Sequence, residues 1–388
     1  MSDIKIGREP ISQEFPTLRQ NFRSLLISNA NYFGNLEASP FQPVFPLKGS
    51  TAYERLGCIG FQPELNMLKA VVYINQETGY GSGLCGPGTE EYVRFFLSFD
   101  NGATWQDQGL TSFTAHNVDH NSRLEYAVEK KIDPPKRLCR SENLIRVRAI
   151  LSWEVPPPAN PNWIPVWGNR AEAIIQVDPL KLVKIPDVFQ IDPDILAILE
   201  PDQLLQVQKL DLPIESTAKA YKAAKVAPSR AMHQLIQEVH ANPAVLAAIE
   251  ANPGAAASNL SAFAKIYGVD LAAVIEAFLG TGDGNQDFEQ LTCIGMQQGA
   301  FIDQLVGVIH VKKSLGYGGS LCTKGSREYI AYYLDFGAGW QYMGTASVGV
   351  NDIGSIPADG LKYTAYLPVD LNKYKQRCTK PVMVKTAE

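Results

Sequence analysis

The sequence predicts a mainly β protein with an α segment: two duplicated antiparallel β-sandwich domains of immunoglobulin-like type, separated by a small helical domain. Three observations carry this. A block of about one hundred residues occurs twice, at roughly 51–150 and 286–386. The apolar runs inside each block are short, alternating and bounded by turn residues, as strands are. The stretch between the blocks changes texture and becomes rich in Ala, Leu, Gln and Glu. The boundaries that follow are an N-terminal arm with a short helix (1–50), a first sandwich (51–178), a helical domain with linker (179–284) and a second sandwich (285–388).

The repeat is the firmest of the three. Gly79-Tyr80-Gly81-Ser82-Gly83-Leu84-Cys85 returns as Gly316-Tyr317-Gly318-Gly319-Ser320-Leu321-Cys322, and Glu91-Tyr92-Val93 as Glu328-Tyr329-Ile330, at an offset of 237. Upstream, Leu56, Cys58, Ile59 and Gly60 answer to Leu291, Cys293, Ile294 and Gly295 at 235, and downstream Trp105-Gln106 answers to Trp340-Gln341, again at 235. The two-residue gain and loss fall in loops, where insertions are tolerated. Across Gly79–Phe99 roughly ten of about twenty-one positions are identical, against one or two by chance. A period this long is a domain duplication and not a solenoid.

Within the first block, Leu68–Ile74 is an apolar β-branched run, Tyr92–Phe99 is aromatic-rich, and Ile145–Ala149 alternates apolar with basic residues. Each reads as a strand. Gly79–Gly88 and Asp100-Asn101-Gly102 read as turns; the first lacks the Gly-Lys-Ser/Thr ending and following helix of a phosphate loop. A barrel is the alternative to the sandwich at this spacing.

The first block continues through Trp153, a Pro-rich stretch Pro156–Pro165 with Trp163 and Trp167, and a further strand at Ala171–Val177. These tryptophans form a lid over the first sandwich or an exposed recognition ridge. The second block has only Val382–Lys385 as counterpart to the last alternating strand, and nothing matching Ala171–Val177. The edge left open is expected to receive a strand by β-augmentation, from the arm segment Ser39–Leu47 or from a neighbouring subunit. A short edge, or one covered by the helical segment, is the bland alternative.

Short helices are expected at Pro193–Leu196, Pro228–His240, Pro243–Glu250 and Leu271–Leu279, with proline near the first turn as the start signal. Leu279–Asn285 reads as a flexible joint and does not carry the ligand spacing of a calcium-binding EF-hand loop.

Composition excludes several classes. A formal net charge of −5 without a basic stripe argues against nucleic acid. No apolar run is long enough to span a bilayer and the N-terminus carries no secretory signal, so a soluble, cytoplasmic protein is the expectation. Three cysteines fall in each block: Cys58, Cys85 and Cys139, then Cys293, Cys322 and Cys378. Reduced, buried cysteine fits that address. One disulfide per block, for example Cys85–Cys139 with Cys322–Cys378, and a zinc site are the alternatives.

Ser98-Phe99-Asp100-Asn101-Gly102-Ala103-Thr104-Trp105 resembles the Asp-box of sialidases and related proteins, S-x-D-x-G-x-T-W, in which the aspartate caps a hairpin turn and the tryptophan packs beneath it. The resemblance covers eight residues and implies a structural turn, with no catalytic residue carried over. The second block departs from it, reading Asp335-Phe336-Gly337-Ala338-Gly339-Trp340. His116-Asn117-Val118-Asp119-His120 is the one histidine cluster and has no counterpart in the second block; an ordinary loop is favoured over a metal or acid–base role. No catalytic, cofactor-binding or metal-ligating residue is nominated, and no cofactor is called for. The expected function is a non-catalytic structural or interaction protein that self-associates or binds a protein partner. A carbohydrate-binding or glycan-hydrolase accessory protein is the first alternative, marked by coplanar exposed aromatics. An enzyme with a site at the helical/sandwich junction is the second.

Overall fold

A computed structural model describes residues 12–120, 123–180, 214–227, 230–231, 265, 268, 286–299, 302–322, 325–380, 382 and 385–386. The predicted helices Pro193–Leu196, Pro243–Glu250 and Leu271–Leu279, nearly all of Pro228–His240, and the joint up to Asn285 lie outside these residues.

Two short helices, α1 (Glu14–Gln20) and α2 (Phe22–Ser28), open the described chain, and α3 (Ile214–Ala223) lies between the repeats. The first repeat supplies β1 (Glu54–Gln62), β2 (Met67–Ile74), β3 (Thr89–Ser98), β4 (Gln106–Ala115), β5 (Leu124–Lys131), β6 (Leu144–Trp153) and β7 (Arg170–Gln176). The second supplies β8 (Glu289–Gln297), β9 (Asp303–Val311), β10 (Ser326–Asp335), β11 (Trp340–Val350), β12 (Leu361–Val369) and β13 (Lys385–Thr386). The chain is mainly β, in several sheets.

Strand pairing corrects the expectation of two self-contained, immunoglobulin-like sandwiches. Three strands from each repeat close one six-stranded barrel, in the order β1-β12-β9-β8-β5-β2. The seams are parallel, β1 with β12 and β5 with β8, while pairing inside each repeat is antiparallel. Equivalent strands therefore point the same way, and the repeats are related by an approximate twofold axis running along the barrel. Outside the barrel lie a four-stranded sheet, β4-β3-β6-β7, and a three-stranded sheet, β11-β10-β13. Each packs on its own repeat's barrel strands, Val93, Phe95 and Val147 meeting Phe61, Leu68 and Val72 in the first, and Ile330, Tyr332 and Leu334 meeting Leu305, Tyr363 and Ala365 in the second.

The barrel explains why β2 is apolar throughout except at Lys69. Leu68, Ala70 and Val72 face the outer sheet, while Val71 and Tyr73 face the lumen with Cys293 and Val308. A strand covered on both sides reads as a continuous apolar run and not as an alternation. Irregularities recur at equivalent places: between Leu56 and Cys58 and between Leu291 and Cys293, then between Phe95 and Phe96 and between Tyr332 and Tyr333. The first pair re-aims the two cysteines into the lumen, as bulges re-aim side chains. Gly57 occupies one bulge because a Cβ there would come within 2.4 Å of the Tyr73 ring.

All six cysteines are paired, and every bond joins one repeat to the other: Cys58–Cys293, Cys85–Cys378 and Cys139–Cys322, with Cα separations of 6.3, 5.0 and 4.9 Å. The reduced and within-repeat readings are both corrected. Counting residues within a block could not find this pairing, because it obeys the twofold: Cys58 bonds its own equivalent across the axis, and the other two bonds are exchanged images of each other. An isologous interface imposes the same reciprocity between subunits. Structural disulfides belong to oxidising compartments, so reduced thiols no longer support a cytoplasmic address. No helix among the described residues is long and apolar enough to cross a membrane.

Candidate functional site

The two outer sheets present the same strands to solvent and treat them differently. On β3 the outward residues are Tyr92, Arg94 and Phe96; their equivalents on β10 are Tyr329, Ala331 and Tyr333. In the first repeat this face is closed. The segment after β6 folds over it, Trp163 packs on Phe96 and Ile150 with Trp105 alongside, and Arg94 and Arg148 donate hydrogen bonds to the carbonyls of Pro157 and Pro161 at 3.1 and 2.9 Å. Trp153, Trp163 and Trp167 are all buried, so the Pro-rich stretch is a lid and not a ridge.

In the second repeat the face is bare. Tyr329, Trp340 and Tyr342 are 60, 53 and 59 % exposed and Tyr333 is 41 %, whereas Phe96, the equivalent of Tyr333, is 1 % exposed. Tyr333 and Tyr342 are cross-strand partners with ring centroids 5.4 Å apart, tilted by 52°. Rings at that angle do not form the coplanar platform that would mark a saccharide-binding face.

The edges differ in the same sense. β3 pairs with β6 from Glu91 to Ser98, and β6 is itself covered by β7. β10 pairs with β11 along its whole length, but on its other side only Leu334 and Asp335 have partners, in β13. Among the described residues, the stretch Ser326–Tyr333 faces no strand there. The arm segment Ser39–Leu47 does not fill the gap: Val44, Phe45 and Leu47 donate to the carbonyls of Tyr32 and Phe33 within the arm, and Phe33 packs with Tyr53 and Ile74 of the first repeat.

Behind each sheet sits one clamping arginine. Arg19, near the end of α1, donates to both oxygens of Glu54 at 3.0 and 2.7 Å and to the Gly79 carbonyl, with Tyr53 and Trp153 rings 4.1 and 4.0 Å from its guanidinium. Arg230 repeats the arrangement on Glu289, Glu328 and the Gly316 carbonyl, beside Phe288 and Tyr317. The acceptors are sequence equivalents; the arginines precede the aligned blocks and were not singled out. The first clamp is the drier. Glu91 is fully buried, neither of its oxygens has a hydrogen-bond partner, and Arg19 is 3.8 Å away. Burial, with Glu54 adding repulsion, pushes the Glu91 carboxyl well above the usual carboxylate range. A buried carboxyl tied to a positive group and aromatic rings locks a helix onto a sheet; the cavity of about 790 Å³ beside it is lined by Arg19, Tyr53, Gly79 and Trp153, but not by Glu54 or Glu91.

The Asp-box turn is as the resemblance implies. Asp100 accepts from the Thr104 N–H at 2.8 Å and Ser98 Oγ from the Gly102 N–H at 2.7 Å. Hydrogen bonds from Thr104 hold the Asp100 carboxyl down at about 2. In the second repeat Asp335 accepts from the Gly337 and Gly339 N–H groups, a different residue capping the equivalent turn. His120 is buried with Nε2 3.2 Å from the Gln76 carbonyl, and the described residues contain no cluster of three metal-ligating side chains.

No known protein family matches the chain, and no curated protein does. Among solved structures, the superoxide reductase (neelaredoxin) of Archaeoglobus fulgidus in its reduced form aligns at 10 % identity and a TM-score of 0.17, covering 31 % of this chain and 87 % of that one. A point mutant of the same protein aligns at the same score and covers 89 % of its own length. At that TM-score the likeness carries no argument about fold or activity.

Proposed function

We propose that this is a non-catalytic assembly protein that self-associates by strand addition at the β10 edge of its second repeat. The observation that carries the reading is the contrast, among the described residues, between β3, paired on both edges and covered on its face, and β10, whose Ser326–Tyr333 stretch has a strand on one edge only and whose face is exposed. An edge with free N–H and C=O groups flanked by exposed aromatics is a template for another strand. Two β10 edges are self-complementary when run antiparallel, so one contact satisfies both chains and closes the association at a dimer.

Light scattering across a concentration series tests it. The full chain should pass from monomer to dimer, and Tyr329→Lys with Tyr333→Lys should remain monomeric at every concentration while unfolding as the parent does. A parent chain that stays monomeric throughout, or a dimer indifferent to both lysines, overturns it.

A further inference from the structure

One end of the barrel lumen holds a group that neither the fold nor the proposed assembly requires. Lys69, on β2, is 0 % exposed. Its Nζ lies 2.6 Å from Glu129 Oε2 on β5, 2.6 Å from Gln304 Oε1 on β9 and 3.2 Å from Gln297 Oε1 on β8, and 4.2 Å from the centroid of the Tyr366 ring. In the strand order β2 and β9 stand opposite each other, as do β1 and β8, which carry the Cys58–Cys293 bond. Lys69 therefore reaches across the lumen to a carboxamide of the other repeat, beside a carboxyl group able to move protons.

We infer that Lys69 and Gln304 are joined by a self-formed isopeptide bond, with Glu129 as the proton shuttle. Since the carbonyl adds about 1.2 Å, the Gln304 Cδ lies at most about 3.8 Å from Nζ, at the border of the roughly 3–3.5 Å of a near-attack geometry. Burial lowers the Lys69 pKa, opposed by Glu129, which favours the neutral amine that attack requires. Lys69 first gives a proton to Glu129. Its nitrogen then bonds to Cδ, while Gln297 holds one remaining N–H and Glu129 returns a proton to the departing nitrogen. The Cδ–Nε2 bond breaks and ammonia leaves, taking up the second lysine proton by way of Glu129. The products are one amide, one ammonium ion and a Glu129 carboxylate; no oxidant or reductant is consumed. Glu129 is 32 % exposed, which opens the exit to solvent. The twofold equivalents of Lys69, Gln304 and Glu129 are Val306, Met67 and Tyr366, so one such bond forms per chain.

Intact mass of the full chain, reduced and denatured, reads this directly. The expected mass is that of the sequence less one ammonia, with a proteolytic fragment in which the Lys69 and Gln304 peptides are branched. Lys69→Arg should restore the ammonia and slow the reduced chain on a denaturing gel, because the loop closed by the bond has opened. A parent mass equal to the sequence with all thiols reduced overturns the inference, whatever the variant does. So does a deficit that maps to Gln297 or to any residue other than the Lys69–Gln304 pair.

Discussion

Set side by side, the two repeats show how one strand plan is finished in two ways. The first is sealed: its arginine is dry, its outer face lies under a Pro-rich lid, and β3 has a strand on each side. The second keeps the same arginine acceptors and the same bulges, but Arg230 is partly open to solvent, its face carries four exposed aromatics, and among the described residues one side of β10 meets a strand only at Leu334 and Asp335. The inward positions stay apolar or aromatic in both, Val93 and Phe95 against Ile330 and Tyr332, whereas outward Arg94 and Phe96 give way to Ala331 and Tyr333. What differs is therefore what each repeat offers to its surroundings, and not how it folds.

The largest effect should come from the arginine clamps. Arg19→Met leaves Glu54 and Glu91 buried without their positive partner, and breaking a buried pair from one side costs about 3–5 kcal/mol. Arg230→Met acts at side chains that are 19 % exposed for the arginine and 22 % and 14 % for its glutamates, so solvent screens the orphaned charges and the loss should be clearly smaller. Denaturant unfolding of both variants measures the difference, and equal losses would break the contrast drawn between the clamps.

Next is the lid. Trp163→Ala removes a buried ring from the Phe96–Ile150 contact, a change of about 3–5 kcal/mol in a core. Trp340→Ala removes a ring that is more than half exposed and should stay within about 0.5 kcal/mol. In light scattering the order should invert, Trp340→Ala weakening dimers and Trp163→Ala leaving them intact.

Much of this was legible in the residues. The duplication, the turns at Gly79–Gly88 and Asp100–Gly102, the strands at Leu68–Ile74 and Ile145–Ala149, and the Asp-box hairpin all rest on local periodicity or turn chemistry, which a single chain displays. The shared barrel did not show itself because its seams join strands far apart in sequence by parallel pairing, which leaves no local signature. The nearly unbroken apolar run of β2, interrupted at Lys69, was the available hint: a half-buried strand alternates, and this one does not. The cysteines misled for a related reason, since spacing within a block says nothing about a partner in the other block. Arg19 and Arg230 escaped notice because they stand 211 positions apart, outside the 235 to 237 register of the aligned segments, although Glu54 with Glu289 and Glu91 with Glu328 were visible as repeated acidic residues with no stated partner.

The smallest effect is the most diagnostic for the dry clamp. Glu91 is raised well above the ordinary carboxylate range, chiefly by burial, so the folded chain keeps a proton that the unfolded chain releases near pH 4.3. The native state then binds more protons than the unfolded state, and stability must fall as pH rises from there toward the folded pKa. Glu91→Gln cannot release that proton. It should match the parent near pH 4 and exceed it progressively toward pH 8, with the slope of unfolding free energy against pH reduced. Glu328 is also raised, by burial and by Glu289, but it accepts hydrogen bonds from Arg230 and Ser326. Glu328→Gln forfeits the charge on those bonds and should gain nothing at pH 8. Parallel pH profiles for the two glutamine variants would mean that the carboxyls are equally solvated, and that the dryness separating the first repeat from the second stops at its surface.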